Sequence, residues 1–328
     1  MFLVKFWGVR GSIPAPLTHK DVREKVLAKL KAYKDGGCPE SPEAFLGDEV
    51  LTYGGNTSCV EVQYGAKRLV FDMGTGIRAL GNALIPEMFQ KGGLEIAFLL
   101  SHVHWDHIQG LPFFGPIYVN KEVGIRNSWS FYGGTGWQKT AETCLRGQMD
   151  PPTFPVSWAE ILKITEKMEF CDLYDRKKFR MVPDGPEILC RKLNHPQETY
   201  GWRLTGYDGS VVAYTTDQEP YNPAYPDPAL LDLAKNADIW ITDCQYSQEI
   251  YEDQKVPRHG WGHSYPEAVA QAAVQGNVKT VVLFHHDPAS SDEKIAALRK
   301  RTEELVKELG GKTEVQAAFE GLEMHCGK

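Results

Sequence analysis

LLSHVHWDHIQG, residues 99–110, places His102, His104, Asp106 and His107 directly after an apolar run that ends near Leu100. Four metal-competent side chains within six residues are not a core pattern. On an extended segment, positions 102 and 104 point to one side, so two imidazoles can grip one cation. The turn that follows lets Asp106 and His107 reach a second. Two cations about 3.5–4 Å apart would form the clamp used for hydrolytic displacement at phosphorus or carbonyl centres.

Outward from this cluster, short β-branched or aromatic runs recur at 2–7, 58–64, 68–72, 95–101, 187–193, 201–205, 210–216, 238–243, 279–285 and 313–319. They predict strands. Capped helical patterns lie between the later ones, so the chain reads as mixed α/β. A helix is predicted over 76–85. The last helix is predicted to start with a capping box of Ser290 and Glu293, to repeat Ile295, Leu298, Leu305 and Leu309 on one face, and to end at Gly310. Two segments interrupt the rhythm. Residues 17–50 hold a Lys-rich helix capped by Thr18 with Asp21, with Val22, Val26, Leu30 and Tyr33 in register, then a Gly/Pro/Ser stretch. Residues 111–186 are rich in Trp, Tyr, Gly and Pro, and excursions of this length are lids, interfaces or substrate loops. No linker divides the chain, which predicts one domain over 1–328.

Composition bounds the function. The 328 residues carry a net charge of −7 and 24% charged side chains. No apolar run approaches the roughly 18 residues of a spanning helix, so no membrane role is expected. The N-terminus MFLVKFWGVRGSIP reads as a first strand rather than an export signal, which predicts a cytoplasmic protein. The acidic balance disfavours long nucleic acid as a partner. Seven scattered cysteines (38, 59, 144, 171, 190, 244 and 326), with no C-x-x-C pair, argue against a disulfide framework and a thiolate zinc site. They read as reduced structural thiols.

The motif H-x-H-x-D-H after a strand resembles the signature of the metallo-β-lactamase superfamily. The resemblance implies an αββα sandwich with two excursions, 17–50 and 111–186, and with metals at one edge between two β-sheets. It also implies that further ligands arrive at strand ends in a fixed order, and each has a counterpart: His195 after ILCRKLN, Asp217 ending VVAYTTD, and His285 ending TVVLFH. The implied first site is His102, His104, His195 and Asp217. The implied second site is Asp106, His107, Asp217 and His285, with His286 the competing choice for the last ligand. Asp72 in LVFDMGTGIR matches the family's strand-end Asp-x-Gly-x-Gly and would hydrogen-bond a ligand or a water. Two divalent cations are implied, with zinc the default and manganese or iron compatible with His/Asp ligands.

This fold hosts several chemistries, so the metals name a site and not a substrate. WGHSYPEAVAQAA discriminates further: Ser264 and Glu267 fit a capping box, Pro266 suits a first helical turn, and His263 stands just before it. Free N–H groups at that helix end favour an anion, and an imidazole there can protonate a phosphoester oxygen. Asp243, ending DIWITD, would hold its tautomer and keep it cationic. This arrangement looks like the phosphodiesterase branch of the superfamily, which is similar to tRNase Z and to cyclic phosphodiesterases. GVRGSIPAP and YGGNTSCVEV resemble the branch's opening turn and its Asn-Thr-Ser strand start.

For tRNA processing the branch uses a protruding basic, Gly-rich arm. Residues 17–50 hold five Lys and one Arg against seven acids, and 111–186 is dominated by aromatics and mixed charge. A small phosphodiester is therefore favoured, a cyclic nucleotide foremost, with Trp105 and Trp129, Phe131 or Tyr132 as candidates to stack a base. The expected reaction is two-metal phosphodiester hydrolysis, with Asp106 or Asp217 aiming the nucleophile and His263 donating the proton, oriented by Asp243. The alternatives are an RNA-processing endonuclease of the tRNase Z type and a thioesterase or lactonase. No organic cofactor is expected, and either excursion could serve as a homodimer interface.

Overall fold

A computed structural model describes residues 1–37, 41–47, 50–134 and 140–327. Fourteen strands are present among these: β1 (Phe2–Gly8), β2 (Cys59–Tyr64), β3 (Lys67–Phe71), β4 (Glu95–Leu99), β5 (Ser128–Gly133), β6 (Lys167–Asp172), β7 (Lys178–Phe179), β8 (Glu187–Leu193), β9 (Thr199–Thr205), β10 (Val211–Thr215), β11 (Ile239–Asp243), β12 (Thr280–Phe284), β13 (Glu314–Ala317) and β14 (Glu323–Cys326). They form two seven-stranded sheets, in the orders β14-β1-β2-β3-β4-β5-β6 and β13-β12-β11-β10-β9-β8-β7.

Alternation along the strands builds three apolar layers. In β1 every second residue is buried, and Phe2, Val4 and Phe6 join Val60, Phe71, Ile188, Trp202, Tyr214, Val282 and Phe284 between the sheets. The outer face of the first sheet, including Phe98, Trp129 and Phe131, packs on Ile77, Leu80 and Leu84 of the helix Ile77–Lys91. The outer face of the second packs on the helices Pro228–Ala234, Pro266–Gln275 and Asp292–Glu308. This is the expected αββα arrangement.

The strand directions put the site at one edge. β3, β4 and β5 run parallel, as do β10, β11 and β12, while β8 and β9 are antiparallel and β9 and β10 are antiparallel. β8 and β10 therefore point the same way. The carboxyl ends of β8, β10, β11 and β12 share one edge of their sheet, and those of β3 and β4 share one edge of the other. Phe71 stacks on Tyr214 across the two sheets with ring centroids 4.6 Å apart, fixing the register between them beside the site.

All ten predicted strands form, and four more do. Residues 111–186 are not simply an interruption, because β5 and β6 within them extend the first sheet and β7 adds an edge to the second. The Trp and Tyr residues that looked like a substrate loop are in part strand residues facing the core. Trp129 and Phe131 are fully buried, which removes them as base-stacking candidates; Tyr132 is half-buried and stacked on Phe179. Trp105, in contrast, is 71% exposed.

Between β1 and β2 the described residues include the helices His19–Asp35 and Pro42–Leu46. The helix His19–Asp35 carries the predicted Thr18/Asp21 capping box, but Val22, Val26 and Leu30 on its apolar stripe are exposed. The final helix is capped by Ser291, not by Ser290 with Glu293. The Ser290 N–H closes a turn on the Asp287 carbonyl and its own carbonyl is taken by Arg10, leaving Ser291 to accept from Lys294 N. Leu309 ends up exposed beyond the helix. Cys59, Cys190 and Cys244 are buried free thiols, Cys171 and Cys326 are half-buried free thiols, and Cys38 lies outside the described residues. No helix among the described residues is long and apolar enough to cross a membrane.

Candidate metal centre

Each predicted site residue but one follows a strand end at the common edge: Asp72 after β3, the 102–107 cluster after β4, His195 after β8, Asp217 after β10, Asp243 at the end of β11 and His285 after β12. The exception, His263, precedes the helix Pro266–Gln275. Asp72, Asp217 and His285 have φ of 57°, 49° and 58°. A left-handed conformation costs a non-glycine residue about 1–3 kcal/mol, and it persists where the surroundings over-determine it. The three stand at the ends of β3, β10 and β12, on the same edge as the histidine cluster.

The side chains meet in three overlapping groups: one is Asp217, Asp243, His263 and His285, and Asp217 joins the other two. His102, His104, His195 and Asp217 bring one donor atom each within 4.8 Å of one another, and so do Asp106, His107 and His285. Asp217 Oδ2 lies 3.6 Å from His102 Nε2 and 3.9 Å from His195 Nε2, while Oδ1 lies 3.2 Å from His107 Nε2 and 3.1 Å from His285 Nε2. One carboxylate thus faces both groups. Asp106 Oδ2 completes the second, 3.1 Å from His285 Nε2 and 3.3 Å from His107 Nε2. His286 points elsewhere, its Nε2 bonded to the Ala318 carbonyl at 2.8 Å, so His285 is the residue brought to the cluster.

Surrounding bonds set each ring. Asp72 Oδ2 sits 2.8 Å from His107 Nδ1 and is itself held by Ser101 Oγ and the Tyr214 hydroxyl. Thr199 Oγ1 approaches His195 Nδ1 at 3.0 Å, and the Gln245 side-chain oxygen approaches His285 Nδ1 at 2.8 Å. Ser12 N donates to Asp106 Oδ2 at 2.7 Å. Neighbouring chain packs directly on the rings: a Cβ at Gly11 would fall 2.4 Å from the His285 ring, and one at Gly262 only 2.1 Å from His195. Gly262 also has φ of 85°. Gly262→Ala is therefore expected to lower unfolding stability by about 1–3 kcal/mol through clash and backbone strain, read as a shifted urea midpoint. An unchanged midpoint would show that the His195 turn can move aside.

Charge states follow from burial and from the carboxylates. Burial lowers His102 well below the usual imidazole range and takes His195 to about 4, so both are neutral with a lone pair to offer. Burial opposes ionisation of Asp217 and Asp106, yet the adjacent imidazoles, His285 and His107 among them, hold both carboxyls low. His107 is pushed up despite burial, by Asp106, Asp217 and Asp72.

His263 stands beside the second group, its ring 5.1 Å from that of His285. Its Nδ1 is 2.7 Å from Asp243 Oδ2. Burial would lower the imidazole, but the charge and hydrogen bond of Asp243 outweigh it and raise the group to about 9. The predicted Ser264/Glu267 capping box is absent: Tyr265 is the capping position, Ser264 N donates to Asp243 Oδ1, and Glu267 is drawn to Arg301. Asp243 competes successfully because its carboxylate accepts a charge-assisted bond at the strand end.

The family model described as "Beta-lactamase superfamily domain" matches residues 67–286, more than half of the chain. The chain belongs to this superfamily. Among solved structures, the metallo-β-lactamase fold protein YhfI from Bacillus subtilis superposes with a TM-score of 0.61 at 18% identity, covering 99% of this chain and 100% of the other. Unliganded PDE1 from yeast superposes with a TM-score of 0.67 at 12% identity, covering 99% of both chains. At these identities the likeness establishes the fold. In sequence, the ribonuclease Z of Staphylococcus haemolyticus (strain JCSC1435) is 24% identical over 284 residues, 71% of this chain and 82% of that protein. Family and histidine–aspartate cluster together make this member a metal-dependent hydrolase.

The residues present fit divalent cations. His102 Nε2 is buried with no hydrogen-bond partner among the described residues, a costly arrangement for a polar atom unless a cation takes its lone pair. Sequence reasoning passed over Ser12, Ser101, Tyr214 and Gln245, which hydrogen-bond Asp106, Asp72, Asp72 and His285 respectively. Each is an ordinary polar residue in its own stretch of sequence, and only the sheet-edge geometry distinguishes it.

Proposed function

We propose that this superfamily member is a two-metal phosphodiesterase acting on a small phosphodiester, foremost a cyclic nucleotide. The observation that carries the reading is Asp217: its two oxygens address two separate histidine groups, while a carboxylate-bound imidazole, His263, stands next to them. His102, His104, His195 and Asp217 would hold one ion, and Asp106, His107, Asp217 and His285 the other, with zinc the best match to the ligands. When bound, the ions supply positive charge to the attacked phosphoryl group and a lowered pKa for an attacking water.

The chain's own residues do the rest. Asp106 and Asp217 accept hydrogen bonds and aim the nucleophile. Asp243 occupies Nδ1 of His263, which leaves Nε2–H as the proton to be delivered to the departing alkoxide. Asp72 fixes the His107 ring, and Asn tolerates its left-handed backbone. Asp72→Asn is therefore expected to weaken metal binding about 10–100-fold, measured by competition with a chelator. Parental affinity in that variant would remove Asp72 from this role.

A metal-loaded panel of 3′,5′-cyclic, 2′,3′-cyclic and linear dinucleotide substrates tests the reading. Turnover of a cyclic nucleotide, with weak dependence on salt, is the expected result. The relative named ribonuclease Z favours a second reading, an endonuclease acting on RNA ends. Efficient cleavage of labelled pre-tRNA with a steep salt dependence, and inert cyclic nucleotides, would establish that alternative. Hydrolysis of thioesters or lactones alone would overturn both.

A further inference from the structure

The carboxylate of Glu219 is buried two residues past Asp217 and accepts three hydrogen bonds among the described residues. Oε1 accepts from the Tyr251 hydroxyl at 2.6 Å and from Gly260 N at 2.8 Å; Oε2 accepts from Gly262 N at 2.8 Å. Its backbone exchanges two further bonds with Asn194, the residue before His195: Glu219 N to the Asn194 carbonyl at 2.8 Å, and Asn194 Nδ2 to the Glu219 carbonyl at 2.9 Å. One residue therefore clips together the Asp217 turn, the His195 turn and the segment that leads into His263. That segment is irregular from Glu252 to Ser264 and turns through left-handed glycines at 260 and 262, φ 77° and 85°. On the other side of His263 the chain is held by Asp243, through Ser264 N, and by Tyr246 N on the Ser264 carbonyl.

The chemistry of the clip is specific. A carboxylate is acceptor-only and suits three converging donors, whereas a side-chain amide of the same shape would turn an N–H toward another N–H. Gly262 is seated on the His195 ring, and His263 is the next residue, so a displacement of the 260–262 backbone is passed to the imidazole directly.

We propose that Glu219 is a positioning residue for proton delivery: it locks the 260–262 backbone so that His263 is held on Asp243 beside the metal centre. The proposal rests on the reading of His263 as the proton donor. Its signature is selective. A displaced proton donor penalises substrates with a poor alkoxide leaving group and spares those whose leaving group departs unaided.

The test uses the zinc-loaded full chain carrying Glu219→Gln or Tyr251→Phe, beside His263→Ala. Three quantities are read: zinc content, kcat on 3′,5′-cyclic AMP against bis-p-nitrophenyl phosphate, and the downfield proton resonance of the His263–Asp243 bond, assigned by its loss in His263→Ala. For Glu219→Gln the expected result is parental zinc, a fall of about 10²-fold on the cyclic nucleotide, a change within about threefold on the nitrophenyl ester, and a lost or broadened resonance. Tyr251→Phe should move the same readouts in the same direction by about tenfold or less, since both glycine contacts remain. Equal losses on both substrates, no loss on either, or an unchanged resonance would overturn the proposal. Should Glu219→Gln fail to fold, Tyr251→Phe decides by the same criteria. If His263→Ala itself shows no leaving-group dependence, the proton-donor reading fails, and the resonance alone then decides whether Glu219 holds the imidazole.

Discussion

Asp217→Asn is expected to strip the protein of both metals together. Asparagine keeps the side-chain shape and tolerates the left-handed backbone at φ 49°, so the turn after β10 survives and the change isolates the carboxylate's charge. What is lost is the anion that faces His102 and His195 through one oxygen and His107 and His285 through the other. A neutral amide offers a weaker acceptor on one side and an N–H on the other, which opposes a cation there. The loss of affinity should exceed the roughly 10–100-fold that follows loss of an outer hydrogen-bond partner. Turnover should fall with it by about a thousandfold or more, equivalent to about 4 kcal/mol of transition-state stabilisation. Metal analysis by ICP-MS is the direct check. Retention of two ions per chain would mean that Asp217 does not bridge them.

His263→Ala is expected to do the reverse, leaving metal content at the parental level while turnover of a cyclic nucleotide falls by about 10²–10⁴-fold. The separation follows from geometry. The His263 ring is 5.1 Å from that of His285, and its Nδ1 is committed to Asp243 rather than to either histidine group. Removing it should also leave Asp243 tied to Ser264 N and Gln245 N, so the strand end stays formed. Hydrolysis of cyclic nucleotides at the parental rate would refute the assignment of His263. Loss of metal would instead place His263 among the ligands, a role its closeness to Asp217, Asp243 and His285 makes worth measuring.

Legibility in the sequence depended on how local each signal is. The ten strands read from β-branched or aromatic runs all form, because such a run is a property of neighbouring residues, whether it alternates as in β1 or is buried throughout as in β10 and β11. β5 was hidden because SWSFYG lies beside Gly and aromatic residues that resemble a surface loop, and β6 because KMEFCD lies in a stretch of mixed charge. Whether Trp129 and Phe131 face solvent or core is decided by what lies over the first sheet, and no local pattern records that. The caps show the same limit. Thr18 with Asp21 closes as written, whereas Ser264 with Glu267 fails because Asp243 and Arg301, both distant in sequence, take their partners.

The amino-acid order by itself determined the donor types and the first half of the site, since the six residues from His102 to His107 carry their geometry in their own spacing. The later candidates, His195, Asp217, Asp243, His263 and His285, came instead from the resemblance to the superfamily, because none of them stands out in its own stretch of sequence. Only the tertiary structure decided which of them meet. The parallel run of β10, β11 and β12 brings their ends to one edge, left-handed residues stand there, and His285 rather than its neighbour His286 faces the cluster. The physical reason is range: periodicity and capping are set by bonds across a few residues, but a ligand set and the Glu219 clip need atoms tens to hundreds of residues apart, which only strand register and sheet packing can place.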